Sequence, residues 1–429
     1  MEKLTAFVSE HINDDTTRLI MNRTKWPDID MEMAVNCIES RRKLKGKVQE
    51  WCDEPRLVFP RRLSAEQCSS SATGAYKADF ASKIASDFKL ADLTGGLGVD
   101  SWFFSKKATQ VLYCEMLPEL CRAAQHNFRV LGASNINVRN VAVSVDGGAA
   151  DEAFRSPKEI LYDFMPDIVY MDPARRGEGG KKVFLLEDCL PDVLTLKDEI
   201  FKYTDHILLK LSPMADITMV CDRLGRKCRE VHVVAAGGEC KELLVWMDRQ
   251  WDGDYTIHAV ELRKDCEPGI FSFAPAEEKI CSVVAGKIPG LGSEGLPHGP
   301  GESILYLFEP GKALMKAGAF NLVAERFGLS KLGKSTHYYI FMGRGLHDVL
   351  QRHGKVFRIM RIEMLDKRSI KAFGKDFPKA EVTARNIPMD TDTLRKKLGV
   401  ASGNDAHIFG LKSDHHGNLL IAGKVVPMP

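Results

Sequence analysis

A glycine-rich stretch flanked by two acidic residues is the strongest chemical signal in this sequence. It reads DLTGGLGVD over residues 92–100 and lies between a predicted strand and a predicted helix. Glycines at such a position let the backbone turn tightly and approach a ligand without Cβ clashes. The stretch therefore predicts either a ligand-binding loop or a structural turn between strand and helix.

A carboxylate at the end of the next predicted strand favours the ligand-binding interpretation. Glu115 follows the strand QVLYC and comes 17 residues after Gly98. A carboxylate at this place can accept hydrogen bonds from both ribose hydroxyls of an adenosine. The loop and Glu115 together predict an adenosine-cofactor site at the carboxyl edge of a parallel sheet.

The residues around the loop favour one adenosine cofactor over another. The dinucleotide pattern G-x-G-x-x-G needs a third glycine where this sequence has Ser101. Asp92 and Asp100 flank the loop, and two carboxylates suit a cationic ligand better than a pyrophosphate. S-adenosylmethionine carries a sulfonium and an ammonium group, so the pattern favours this cofactor.

A second polar group ends the fourth predicted strand, in the sequence DIVYMDPARR. Ligands bind at the carboxyl ends of strands in open α/β sheets, so Asp172 and Pro173 are expected beside the cofactor. Asp172 can accept hydrogen bonds from a substrate amino group or remove its proton. Arg175 and Arg176 can hold a phosphate or stack on a base. A strand-end turn with a solvated arginine pair is the alternative.

Seven β-rich segments must position these residues. They are KLADL, QVLYCE, NINVRNV, DIVYMD, HILLKLS, EVHVVAA and KELLVWM, and helical segments lie between them. This alternation predicts βαβ units and a mostly parallel sheet. The last two strands, 230–236 and 241–247, are too close for a parallel crossover, so they should pair antiparallel. We therefore expect an α/β, Rossmann-like, seven-stranded sheet with an antiparallel last strand.

The remaining chain predicts smaller elements on both sides of this sheet. Residues 1–75 have apolar positions at three- and four-residue spacing, which is typical of helices. The sheet is expected over residues 76–252. A glycine- and proline-rich stretch follows it, and small α+β modules are expected over 253–350 and 351–429.

Composition excludes several classes of protein. The 429 residues are 44% apolar and 28% charged, as in globular proteins of several domains. Eleven cysteines without a C-x-x-C pair argue against a disulfide framework and indicate reduced thiols. No signal-peptide pattern and no apolar run of about 18 residues is present. We therefore expect a cytoplasmic protein with no membrane partner, and no metal at the adjacent His415 and His416.

The charge is distributed unevenly along the chain. The net charge is +2, but residues 331–400 carry 16 Lys/Arg against 7 Asp/Glu, a local balance of +9. Such a segment predicts a phosphate-binding surface, with a solvated basic face as the alternative. Aromatic residues interleave with these cations, as in nucleic-acid surfaces, but the alternation in HYYIF (residues 337–341) favours packing in a core.

The motifs together resemble a known family. DLTGGLG, Glu115, DPAR and the antiparallel seventh strand resemble class I S-adenosylmethionine-dependent methyltransferases over about residues 75–250. The whole layout is similar to bacterial methyltransferases with a ferredoxin-like module, here 253–350, and a THUMP-like C-terminal domain, here 351–429. EQCSSSATGAYKA and FPKAEVTARNIPM resemble stretches of that family as well.

The resemblance implies a set of cofactor-binding residues. Asn140, after the third predicted strand, is where relatives contact the adenine ring. The full expected set is Asp92, Thr94, Gly95, Gly96, Gly98, Glu115, Asn140, Asp172 and Pro173.

Departures from related enzymes bear on the mechanism. Methyltransferases of exocyclic base amines usually have Asp/Asn-Pro-Pro and an aromatic residue, where this chain has Ala174 and Arg175. DPAR and LKLSPM resemble RNA uridine C5-methyltransferases, whose cysteine after the fifth strand attacks the pyrimidine. LLKLSPMAD contains no cysteine, and the nearest downstream is Cys221. Covalent pyrimidine chemistry therefore lacks its nucleophile, and direct methyl transfer is expected.

These observations predict an S-adenosylmethionine-dependent RNA methyltransferase whose substrate is tRNA or rRNA. Asp172 and Arg175 are the expected catalytic residues, and Arg175, Arg176 and Lys210 the expected substrate-binding residues. Lys210 could instead only cap its strand. An RNA-binding protein with a vestigial methyltransferase domain is one alternative, because the aromatic residue after Pro173 is missing. A methyltransferase of small molecules or proteins is another.

Overall fold

Two units divide the chain in the computed structural model. The first consists of Met1–Val231 and Lys241–Tyr255, and the second of His232–Cys240 and Thr256–Pro429. The structure describes residues 2–145, 147, 153–175, 186–264, 266–288, 291, 304–343 and 345–427.

Six helices open the first unit, in agreement with the apolar spacing in its sequence. They are α1 (Glu2–Glu10), α2 (Thr16–Met21), α3 (Met31–Leu44), α4 (Gln49–Asp53), α5 (Arg62–Gln67) and α6 (Ser71–Ile84), with a 3-10 turn at Arg23–Lys25. Polar side chains fix several helix starts, because they satisfy N–H groups that have no partner within the helix. Asp30 caps α3 in this way, and Ser70 and Thr73 form a capping box at α6.

Seven strands form the sheet expected from the sequence, and the strands Thr256–Leu262 and Gly269–Phe273 extend it to nine. The seven strands are β1 (Lys89–Asp92), β2 (Gln110–Cys114), β3 (Ile136–Arg139), β4 (Ile168–Met171), β5 (His206–Leu211), β6 (Cys228–Ala236) and β7 (Glu239–Asp248). Their order is β3-β2-β1-β4-β5-β7-β6. The neighbours from β3 to β5 pair in parallel, whereas β7 pairs antiparallel with β5. The predicted α/β fold class with an antiparallel last strand is confirmed.

Helices connect these strands and cover the sheet. They are α7 (Val99–Ser105), α8 (Pro118–Val130), α9 (Pro157–Leu161), α10 (Val193–Ile200) and α11 (Ile217–Leu224), with a 3-10 turn at Leu186–Asp188. Two-residue strands pair Ala142–Val143 with Phe154–Arg155, and Ala174–Arg175 with Cys189–Leu190. All four residues of β4 are buried, as a strand covered on both faces requires. Since β1, β2, β4 and β5 run in parallel, their carboxyl ends meet at one edge.

The second unit contains an antiparallel pair and a seven-stranded sheet. Its strands are β8 (Thr256–Leu262), β9 (Gly269–Phe273), β10 (Leu305–Pro310), β11 (Ser330–Lys331), β12 (Tyr339–Met342), β13 (Gly354–Met364), β14 (Lys379–Arg385), β15 (Ala401–Ser413) and β16 (Gly417–Val425). Its helices are α12 (Pro275–Ile280), α13 (Lys312–Ala317), α14 (Phe320–Phe327), α15 (Leu346–Gln351), α16 (Lys367–Asp376) and α17 (Thr391–Leu398).

The sheet of the second unit spans both α+β modules expected from the sequence. β8 pairs with β9, and the other strands follow the order β11-β12-β10-β13-β16-β15-β14. β10 belongs to the expected module 253–350 and β13 to the module 351–429, and the two strands pair antiparallel. The modules therefore share one continuous hydrogen-bonded ladder.

Alternation along β15 and β16 gives this sheet two apolar faces. Phe409 and Ile421 belong to one buried cluster, whereas Ile408 and Leu420 belong to another. Successive side chains of a strand point to opposite faces of the sheet, so other elements must pack on both faces to bury these apolar residues. Phe373 of α16 and Leu394 of α17 belong to the second cluster, so these two helices cover that face.

Aromatic residues of the basic segment lie in the core of the second unit. Tyr338, Tyr339 and Phe341 are all buried, which confirms that the alternation in HYYIF serves packing. All eleven cysteines are free thiols, as their spacing predicts. Within the described ranges, no helix combines the length and apolar character needed to cross a bilayer.

Candidate functional site

The glycine loop between β1 and α7 packs too tightly for larger residues. A Cβ on Gly95 would lie 2.2 Å from the ring of Tyr113. Gly98 has φ +91°, a left-handed conformation that L side chains rarely adopt, and its N–H donates to the carbonyl of Gly95 (2.9 Å). The Tyr113 hydroxyl donates to the carbonyl of Gly96 (2.6 Å). These contacts fix the loop at the carboxyl edge of the sheet.

Asp92, at the end of β1, is a buried carboxylate that holds the start of this loop. It accepts hydrogen bonds from the hydroxyl of Ser101 (2.6 Å) and the N–H of Thr94 (3.0 Å). Burial raises the pKa of Asp92 to about 7, and the nearby charges of Asp100 and Asp172 act in the same direction. Asp92 is therefore poised to change its charge near neutral pH.

Glu115, directly after β2, binds the glycine loop through its side chain. One carboxylate oxygen accepts a hydrogen bond from the N–H of Gly96 (2.9 Å), and the other accepts from the N–H of Leu117 (2.8 Å). The side-chain amide of Asn140 donates to the carbonyls of Glu115 (2.8 Å) and Met116 (3.0 Å). Asn140 thus holds the backbone that carries Glu115, and its contact with adenine stays a prediction.

Asp172 joins the loop to the fifth strand. Its N–H donates to the hydroxyl of Thr94 (2.6 Å), and its carboxylate pairs with the ammonium of Lys210 (2.5 Å). Burial alone would lower the pKa of Lys210, but Asp172, Asp100 and Glu242 raise it well above its usual range. Lys210 therefore stays charged, and its first role is to hold Asp172.

A buried polar cluster lies behind this pair. The ammonium of Lys77 in α6 contacts both carboxylate oxygens of Glu242 in β7 (2.7 and 2.9 Å) and lies 3.3 Å from Asp100. Lys77 also donates to the hydroxyl of Ser69 (2.9 Å), which donates to Asp100 (2.9 Å). The hydroxyl of Tyr170 donates to the same Asp100 oxygen (2.8 Å).

Asp100 stays ionised inside this cluster. Burial raises its pKa, but the charges of Lys77 and Lys210 and its two hydroxyl donors outweigh burial, so the pKa lies below its usual range. Its negative charge is buried behind the loop. The surroundings of the loop are therefore suited to a cationic ligand.

The residues at this edge fit an S-adenosylmethionine cofactor. Among the residues that the structure describes, a Cβ on Gly96 would have only the Thr94 carbonyl within 4 Å, at 3.8 Å, so a ligand can lie against the loop. Each Glu115 oxygen uses one acceptor direction for a backbone N–H and keeps another for a ribose hydroxyl. The chemistry of the donor set agrees with the group that the sequence predicts.

The structure brings together most of the residues predicted from the sequence. One chain of contacts runs from Asp92 through Thr94 and Asp172 to Lys210, and another runs from Gly96 through Glu115 to Asn140. Pro173 is buried directly after Asp172. Arg176 and the side chain of Arg175 lie outside the described residues, so their expected roles stay predictions.

Several residues of the cluster are not among those predicted from the sequence. Lys77 could have been identified, because it is the single cation in the stretch ATGAYKADF, in which Asp79 is the other charged residue. A buried cation must have a partner, but the sequence does not say which. The other missed residues are Ser69, Tyr170 and Glu242.

The cysteines near the site are protonated thiols. Burial raises the pKa of Cys68 to about 11, although its surroundings include Lys47 and Lys210. The thiol of Cys221 contacts Cys228 (3.5 Å), and this contact together with burial raises its pKa far above the usual range. Neither residue is an activated nucleophile, and direct methyl transfer stays a prediction.

Two stretches of the second unit match known domain families. Residues 306–342 match a ferredoxin-like domain, and residues 354–424 match the family described as THUMP domain-like. Both matches confirm the resemblance found in the sequence.

A crystal structure is similar to the chain over nearly its whole length. It is that of a candidate methyltransferase from Porphyromonas gingivalis W83, with 30% sequence identity and a TM-score of 0.80. The alignment covers 99% of this chain and 98% of that chain. The likeness extends over both units and confirms the fold class.

Smaller structures are similar to parts of the chain. An rRNA methylase from Streptococcus thermophilus has 13% identity and a TM-score of 0.28, covering 40% of this chain and 94% of its own. A candidate methyltransferase from Streptococcus mutans in complex with SAH has 14% identity and a TM-score of 0.28, covering 40% and 95%. At these scores neither likeness carries an argument. No curated protein matches the chain at a significant level.

The Lys77–Glu242 pair should stabilise the first unit only as a pair. We expect Lys77→Met to lower the free energy of unfolding by about 3–5 kcal/mol, because it leaves Glu242 buried without its cation. Lys77→Met/Glu242→Leu should regain part of this loss, because Glu242 no longer carries an unpaired charge, while Asp100 keeps Lys210 as its remaining cation. Urea denaturation measures both. A double variant no more stable than the single one would contradict the pairing.

Asp92 should make stability depend on pH. Its pKa of about 7 in the folded chain exceeds its ordinary value of 3.8, so unfolding releases a proton between these values. The stability that Asp92 contributes is therefore complete below pH 4 and falls as the pH rises to 7. The side chain of Asp92→Asn does not titrate, so this variant serves as the reference. The free energy of unfolding of the wild type minus that of the variant should fall by about 2 kcal/mol between pH 5 and pH 7. A constant difference would refute this.

Proposed function

The chain belongs to the family of the Porphyromonas gingivalis protein, and we propose that it is an S-adenosylmethionine-dependent methyltransferase that modifies RNA by direct methyl transfer. The observation that carries the proposal is the hydrogen bond between Glu115 and the N–H of Gly96 (2.9 Å). It holds the Glu115 carboxylate against the glycine loop, which supports a ribose-binding role for this residue. The same loop contacts Asp172 through Thr94.

The cofactor-binding roles follow from these positions. The loop from Asp92 to Gly98 lies against the methionine end of the cofactor, and Glu115 accepts hydrogen bonds from the ribose hydroxyls. Met116, which is 41% exposed, follows Glu115 and offers apolar contact to the adenine ring. S-adenosylmethionine, when bound, supplies an electrophilic methyl group on a sulfonium. Asp100 contributes a negative charge that favours this cation.

Asp172 is the residue that meets the acceptor. Its side chain is 38% exposed, whereas that of Lys210 is 12% exposed, so the carboxylate faces the substrate and the ammonium stays behind it. Lys210 and Thr94 fix the position of Asp172. The carboxylate orients the N–H or O–H of the acceptor and accepts the proton that leaves as the new bond to the methyl group forms. Most of the rate enhancement comes from proximity and alignment.

RNA as the substrate is supported by the second unit. Residues 354–424 match a THUMP domain-like family, and THUMP-type domains are associated with RNA. The basic balance of +9 over residues 331–400 supplies charge for phosphates. Arg175 and Arg176 are the proposed substrate contacts beside Asp172. The substrate class we propose is tRNA or rRNA.

Cofactor binding tests the first part of the proposal. Titration calorimetry with S-adenosylhomocysteine should show binding to the wild type and an affinity about 10–100 times lower for Glu115→Ala, because hydrogen bonds to a charged group are lost. Asp198→Ala, an exposed acidic residue on α10, is the control and should bind like the wild type. An unchanged affinity of the Glu115 variant would reject the assigned site.

Methyl transfer tests the role of Asp172. With labelled S-adenosylmethionine and total RNA from a strain that lacks the protein, Asp172→Asn should lower kcat/KM by about 10²–10⁴ while cofactor affinity stays near that of the wild type. The amide keeps the shape but cannot accept the proton. Full activity of this variant would rule out Asp172 as the group that meets the acceptor.

A further inference from the structure

Helices α16 and α17 of the second unit carry a set of exposed cations. We use the name basic surface for six of them: Lys367, Arg368, Lys371, Lys375, Lys396 and Lys397. The two helices touch, because a Cβ on Gly374 in α16 would meet the carbonyl of Leu398 in α17. Lys396 and Lys397 lie in the turn of α17 just before this contact.

The four cations of α16 lie on one side of the helix. At 3.6 residues per turn, they fall within an arc of about 100°. Ser369 and Phe373, the buried residues of α16, fall on the opposite side. Lys367, Lys371 and Lys375 follow one another at intervals of about 6 Å along the axis. The cations therefore form a row that faces away from the core.

The cations of this row form no ion pair among the described residues, although Asp366 at the start of α16 interacts with the charge of Arg368. Other cations of the same module are paired, as Arg361 is with Glu363 and Asp376, and Arg395 with Glu381. Among the ion pairs between described residues, none includes a member of the basic surface. A row of exposed cations of this length can attract a polyanion such as a nucleic acid.

Helix stability does not account for the row. Lys367 and Arg368 lie in the first turn of α16, which contains no acidic residue. The dipole of a helix disfavours cations at its N-terminal end and favours them at its C-terminal end. Asp366 caps this end of α16 and offsets part of that cost, so the dipole gives these two cations no stabilising role of their own.

The surroundings of the row exclude recognition by stacking. Residues 354–429 contain no Trp and no Tyr. Phe357, Phe373 and Phe409 are buried, and Phe377 is packed against the core. Neither α16 nor α17 exposes a ring that could stack on a base, and the exposed His415 of this module lies in the turn between β15 and β16. The cations of the two helices therefore meet phosphates. The exposed side of α16 also lacks an apolar residue to insert into a lipid surface.

We propose that the basic surface binds the phosphate backbone of the RNA substrate and does not read its bases. This rests on the proposed function and deepens it, because the choice of base then falls to the residues around Asp172. Binding by the second unit is electrostatic and independent of base sequence. Each cation replaces counterions on the RNA when it binds.

The salt dependence of RNA binding tests this proposal. The probe is a labelled mixed-sequence RNA of about 20 nucleotides, single-stranded and as a duplex, bound to the full chain at about 50 to 200 mM salt. The test variant is Lys367→Gln/Lys371→Gln. The matched control is Lys412→Gln/Lys424→Gln, which removes two exposed cations of the same module from β15 and β16.

We expect the test variant to lower the slope of log K against log salt by about 1.4 for single strands and about 1.8 for the duplex. Its melting temperature should equal or exceed that of the wild type, since a cation leaves the helix N-terminus. The control should keep the wild-type slope. All three proteins should bind S-adenosylhomocysteine alike.

Several outcomes would overturn the proposal. An unchanged slope in the test variant, or an equal decrease of the slope in the control, would show that these helices do not contact RNA specifically. If both variants still bound the cofactor and transferred methyl groups, the proposed function would be unaffected. Equal or tighter binding to vesicles of 30% phosphatidylserine and 70% phosphatidylcholine would favour a membrane partner. Strong preference among RNA sequences that is lost in the test variant would show base reading.

Discussion

The buried ammonium of Lys77 is the interaction on which the first unit depends. It joins α6 to β7 through Glu242 and to α7 through Asp100. A charge in this position costs much free energy unless every partner is in place, so the three elements can assemble in only one arrangement. Ser69 and Tyr170 complete the partners of Asp100, which extends the constraint to β4.

The same constraint shapes the candidate site. Asp100 and Glu242 keep Lys210 charged, and Lys210 holds Asp172 where the loop meets it through Thr94. The chemistry at the surface therefore rests on charges buried beneath it. Because the N-terminal segment supplies Ser69 and Lys77, residues far from the glycine loop in sequence become part of its support.

Recognition is divided between two kinds of surface. In the proposed function, the first unit offers hydrogen-bonding groups at fixed positions, with the Glu115 carboxylate for a ribose and the Asp172 carboxylate for an acceptor. The second unit offers the exposed cations of α16 and α17, whereas Phe357, Phe373 and Phe409 of the same unit are buried in its core. Directed hydrogen bonds distinguish one atom from another, whereas solvated charge supplies affinity without selection.

The sequence by itself determined the α/β sheet, its antiparallel last strand, the glycine loop, and the positions of Glu115 and Asp172, because periodicity and glycine placement are local properties of the chain. It did not determine the partners of Lys77 and Lys210, the buried state of Asp92, or the single sheet shared by the modules behind residue 253. These depend on which elements become neighbours, and burial and Coulomb interactions arise only between residues that the folded chain brings together. The tertiary structure alone decided them.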